Sequence, residues 1–138
     1  MLDLSLAPPP IHRLVAWLHS EGCSIVSEQA AGRNDQFAEF RCASRIIGPT
    51  ADRGEWSITV ATAAMTDRFH PDEWEAFLDG FELAGELSDL DHQVDFIVGR
   101  WQTAIRKANQ EPSAESDLRL IGQGYVHRRL GLKPPGDT

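Results

Sequence analysis

Asp89, His92 and Asp95 stand at i, i+3 and i+6, close to one side of a helix, and two carboxylates with an imidazole are donors that a divalent ion accepts. With His70 as an acid–base group they make a metal-dependent hydrolase one reading of the chain. Nothing beside them strengthens it: there is no HExxH, paired CxxC, GxSxG or phosphate-loop signature. His70 directly precedes Pro71, a position that marks a helix boundary more than a catalyst. Gly122-Gln123-Gly124 resembles part of a phosphate loop but follows no strand and lies in a helical pattern, where two glycines serve close helix approach. His12 and His19 are seven residues apart, about 10 Å along a helix, too far to share a metal, and read as surface histidines. Cys23 and Cys42 are too few for a zinc site or a disulfide framework; neighbouring strands leave a bridge open, but free buried thiols are expected. The residues therefore point away from an enzyme and call for no cofactor and no metal.

The stronger signal is charge. Residues 69–99 hold no Lys or Arg but nine carboxylates: Asp72, Glu73, Glu75, Asp79, Glu82, Glu86, Asp89, Asp91 and Asp95. Residues 1–68 carry eight acids and six bases, and residues 100–138 four acids and seven bases, so nearly all of the net charge of −8 belongs to this one segment. Some of these acids serve helix N-termini through the dipole. Gathered on one side, they would also form an anionic docking surface that speeds association with a basic partner and weakens with salt. Trp74, beside Asp72, Glu73 and Glu75, is a candidate interface anchor, although all four tryptophans fall on apolar faces.

The elements that position these residues follow from periodicity. Trp56, Ile58 and Val60 alternate with Ser57, Thr59 and Ala61, which predicts a half-buried strand. Pro71 at a first helical position, Asp72 and Glu73 in the first turn and Gly80 as the stop predict a helix whose Trp74, Phe77, Leu78 and Phe81 form a ridge against that strand. Before them, Ile11, Leu14, Val15 and Leu18 predict a helix after an unstructured start. Residues 23–30 and 36–47 read as strands joined by Gly32-Arg33-Asn34-Asp35, and residues 48–54 as a loop. After them, Ser88 is expected to cap a long helix with the stripe Leu90, Val94, Ile97, Val98, Trp101, Ala104, Ile105 and Ala108, interrupted by Gly99. Ser113 or Ser116 starts a last helix that Gly131 stops, and residues 133–136 form a solvated tail. Short turns between successive strands imply an antiparallel meander.

At 138 residues the chain suits one domain, with a core over about residues 9–132, of the α+β class: a small antiparallel sheet of three or more strands covered by helices. The acidic balance argues against direct nucleic-acid binding. No apolar run suits a membrane span and no secretion signal opens the chain, so a cytoplasmic location is expected.

The succession GEWSITV, FHPDEWEAFLDG, a helix and a closing RRLGL resembles small bacterial immunity proteins of toxin systems, over residues 11–132. The resemblance implies a non-enzymatic inhibitor that binds a cognate toxin. Sequence and resemblance together favour a small acidic protein-binding inhibitor, immunity- or antitoxin-like, that occludes a basic functional surface of a partner protein. Asp72, Glu73, Trp74, Glu75 and Asp79 contribute, and Glu82, Glu86, Asp89, Asp91 and Asp95 extend the field. An anti-defence protein mimicking nucleic-acid charge is a variant of this idea, and a structural or oligomerising domain a third possibility beside the hydrolase.

Overall fold

The structure is a computed structural model that describes residues 2–130. The elements run α1 (Pro9–Ser20), β1 (Ser24–Gly32), β2 (Asp35–Cys42), β3 (Arg45–Asp52), β4 (Glu55–Thr62), α2 (Pro71–Asp79), α3 (Leu90–Gln110) and α4 (Ala114–Arg129). The strands form one antiparallel sheet in the order β1-β2-β3-β4, so the fold is an α+β meander covered by helices. The Gly131 stop, the tail over 133–136 and the end of the RRLGL motif lie outside the described residues.

The sheet has one strand more than the sequence delimits, because one turn carries no glycine. Within residues 36–47 the chain reverses at Ala43 and Ser44, with Ala43 at φ 51°. Residues 48–52, loop-like in composition, lie in β3, a central strand. Pro49 has no N–H to donate there. The ladder absorbs the loss on one side only: β3 pairs with β4 without interruption, while its pairing with β2 skips from Phe37↔Thr50 to Phe40↔Ile47. Arg53 and Gly54, both at positive φ, make the tight turn into β4, as a two-residue hairpin of type I′ requires.

One sheet face carries Ala38, Phe40, Ile47, Ile58 and Val60, all buried beneath the helices. Trp74 ties the layers together: its Nε1–H donates to the Val60 carbonyl at 2.9 Å, and its ring meets Trp101 edge-on at 4.6 Å. Phe69 pairs both ways with Val60 and so extends the sheet by one bridge beyond β4. Phe81, expected at the end of the ridge on α2, follows the left-handed stop at Gly80 and is exposed. On α3, Val98 is also exposed, and Phe96 and Gln93 are buried instead. Gly99 faces open space.

Two other expectations are overturned. Residues 2–8 are not an unstructured start: the Asp3 N–H donates to Gln36 Oε1 at 2.8 Å, Gln36 Nε2 donates back to the Asp3 carbonyl at 2.6 Å, and Leu2, Leu4 and Ala7 pack against the core. The cysteines are not free thiols but a disulfide. The register pairs Ser24 with Arg41, which sets Cys23 opposite Cys42 with Cα atoms 4.4 Å apart, within reach of a bond.

Candidate functional site

The acidic segment folds into α2, the first half of α3 and the loop between them, and its carboxylates divide into an inner and an outer set. Asp72 is buried: the Ser88 N–H donates to its Oδ2 at 2.6 Å and the Ser88 hydroxyl to its Oδ1. This bond takes Ser88 away from its expected role as cap of α3, which falls to Asp89, accepting the His92 N–H at 2.9 Å. Glu73 is half-buried and closes a capping box, accepting the His70 N–H at 2.9 Å, while His70 Nδ1 accepts the Asp72 N–H at 3.0 Å. Trp74 has no exposed surface, because its side chain is the peg between α2, β4 and α3. Asp72 and Trp74 are thereby withdrawn from any partner-binding surface, and Glu73 is committed to its helix.

The outer set lies where α3 runs beside both α1 and α2. Across the seam with α2, His92 Nε2 meets Glu75 at 2.8 Å and Arg100 grips Asp79 with two hydrogen bonds of 2.6 and 2.8 Å, 3.8 Å from Glu75. Arg100 holds the Asp79 carboxyl below the usual carboxylate range, and the hydrogen bond to Glu75 raises the His92 imidazole above the usual histidine value. Across the seam with α1, Arg13 reaches Asp95 at 2.7 Å and Asp91 at 4.0 Å. Asp91 and Asp95 keep 73% and 66% of their side chains exposed, so pairing does not remove them from solvent. Glu82 and Glu86 are exposed on the connecting loop. Glu75 and Asp79 thus line the seam with α2, Asp91 and Asp95 the seam with α1, and Glu82, Glu86 and Asp89 the connection between α2 and α3.

The hydrolytic set does not assemble. Asp89 is a cap, His92 turns to Glu75 on α2, and Asp95 turns to Arg13 on α1. Among the described residues no three His, Cys, Asp or Glu side chains are placed to hold a metal ion.

The other face of the α2 N-terminus borders a cleft of about 580 Å³ that the sequence reading misses, formed with residues 83–87 and the second half of α4. His70 and Glu73 lie in its wall beside Arg68, Arg119 and Tyr125. Burial pushes the His70 imidazole below the ordinary histidine value and the Glu73 carboxyl above the ordinary carboxylate value, so both groups are driven towards their neutral forms. Opposed shifts of neighbouring groups in a concavity are a mark of functional sites. Arg68 is bound by Glu39 at 2.8 Å, and Arg119 by Asp67 at 2.6 Å and Glu115 at 3.4 Å. Glu115 also accepts the N–H groups of Thr66 and Asp67, tying α4 to the segment ahead of α2. Gly122 was the available signal: its close helix approach is real, since a Cβ there would overlap the Glu73 carboxylate.

No protein-family model, curated protein or solved structure matches this chain.

Proposed function

We propose that the protein is a small protein-binding inhibitor, immunity- or antitoxin-like, whose acidic helical side occludes a basic functional surface of a partner protein. What carries the reading is the outer set: Glu75, Asp79, Glu82, Glu86, Asp89, Asp91 and Asp95 gather around the α2–α3 connection and the α1 seam against two arginines. Such a field steers a cationic partner and sets register on docking. Arg13 and Arg100 hold four of the carboxylates in fixed positions while leaving Asp91 and Asp95 largely in solvent. The reading drops Asp72, Glu73 and Trp74 from the contact set. A cytoplasmic setting accompanies it, and no helix of the described residues is long and apolar enough to cross a membrane.

The test is affinity capture from the source cell with wild-type protein and with a Glu86→Gln, Asp91→Asn, Asp95→Asn variant. A single basic protein should be retained, released progressively as salt rises, lost on the variant, and inhibited in its own activity by the wild type. Retention that ignores both salt and the three substitutions would overturn the proposal.

A further inference from the structure

The cleft beside α2 has the dimensions of small-molecule sites, and its wall combines the apolar side chains of Phe69, Leu83, Leu87 and Val126 with polar and ionisable ones. Asp67, Glu73, Arg68 and Arg119 lie in its wall, and among the described residues each arginine is already joined to a carboxylate, Arg68 to Glu39 and Arg119 to Asp67, so neither is left free to recruit an anion.

The capping box decides which polar atoms remain for a guest. His70 Nδ1 is occupied by the Asp72 N–H, so the neutral ring carries its proton on Nε2, for which no partner exists among the described residues. Glu73 Oε1 is occupied by the His70 N–H, and Oε2 is the oxygen lodged against Gly122. Residues 70 and 73 are one helical turn apart and face the same way. A donor and an acceptor are therefore presented side by side at the edge of an apolar wall.

We propose that this cleft binds a small uncharged molecule with an apolar body and a head that accepts one hydrogen bond and donates another, an amide or an alcohol. The head accepts from His70 Nε2 and donates to Glu73 Oε2, and the body lies along Leu83, Leu87 and Val126. Burial disfavours the charged forms of both groups, and an uncharged head adds no further charge to be desolvated beside them. This site is separate from the acidic side and does not depend on the inhibitor reading.

The experiment is a nitrogen–proton correlation titration of the full chain with hexanamide, and with hexanoate and hexylammonium as charged congeners of the same body. Hexanamide should give saturable shifts at His70, Glu73, Leu83, Leu87 and Gly122, with both charged congeners at least about tenfold weaker. Leu87→Gln, at an exposed position on the connecting loop, should weaken hexanamide several-fold while leaving the melting temperature unchanged. Absence of saturable shifts at these residues, equal binding of a charged congener, or indifference to Leu87→Gln would overturn the proposal.

Discussion

The carboxylate of Glu73 on α2 occupies the space where Gly122 on α4 lacks a side chain. One end of this carboxylate is fixed by the His70 N–H at 2.9 Å, so it is not free to swing aside as an exposed glutamate would. A residue that reads as a helix defect in the sequence is thus the seat of a cap belonging to another helix.

Gly122 and Gly99 should therefore respond oppositely to the same change. Gly99→Ala meets open space in the middle of α3 and should stabilise the protein by about 1 kcal/mol, the helix-propensity gain. Gly122→Ala has the same gain available but displaces Glu73 and breaks its bond to His70, so its net effect should be near zero or unfavourable. Chemical denaturation of the two variants checks this, and equal stabilisation would show that Glu73 is not held.

Two histidines give the stability profile opposite slopes. His92 is raised by its bond to Glu75, so its stabilisation is complete below the ordinary histidine value of about 6.5 and is lost as pH rises through its folded value. His70 is lowered by burial, and the Asp72 carboxylate acts in the opposite sense. The folded protein resists protonating it, and stability falls as pH drops below about 6.5. His92→Gln should flatten the alkaline side of the profile and His70→Asn, which retains a capping acceptor, the acid side. Midpoints of urea unfolding from pH 5 to 9 read both.

Glu73 adds an effect of its own. Its carboxyl is raised by burial, so the folded state takes up a proton before the unfolded state does and gains stability as pH falls through that window. Glu73→Gln keeps an oxygen for the His70 N–H and removes the buried charge, so it should be neutral or stabilising at pH 7 and erase this gain. A loss of stability at pH 7 beyond about 1 kcal/mol would count against the geometry.

Reduction of the Cys23–Cys42 bond should cost about 3 kcal/mol, the loop-closure value for a bridge spanning 19 residues. The bond also belongs to the kind that persists in oxidising surroundings. Denaturation midpoints with and without a reductant, compared with a Cys23→Ser, Cys42→Ser variant, measure the cost. Thiol titration in a glutathione buffer poised like cytosol reports whether the bridge survives there.

Trp74 should behave as a core residue and not as an anchor. Trp74→Ala is expected to destabilise by about 3–5 kcal/mol. Trp74→Phe should cost nearer 1 kcal/mol for the lost donor, because the Val60 carbonyl keeps the Phe69 N–H. A Trp74→Phe protein that stays folded yet loses its partner would contradict this assignment.

Much of the architecture was legible because it rests on local rules. The alternation through Trp56, Ile58 and Val60, the Pro71 start and Gly80 stop, and the long stripe ending at Ala108 each depend on a few neighbouring residues, and each corresponds to an observed element. The four-strand count escaped because Ala43 and Ser44 carry no turn signature and because Pro49 is tolerated in a central strand only where the β2 ladder lapses. That lapse is a property of two strands together.

The sequence by itself determined that nine carboxylates would crowd residues 69–99 and that helices would carry them. Which of them face outward was decided only by tertiary structure. Asp72 and Trp74 point inward because Ser88 and Val60, distant in the chain, supply the bonds that make burial affordable, whereas Asp91 and Asp95 stay in solvent beside Arg13. The cleft beside His70 is likewise a product of packing, since it exists only where α4 meets the start of α2, and no local pattern encodes the meeting of two helices some fifty residues apart.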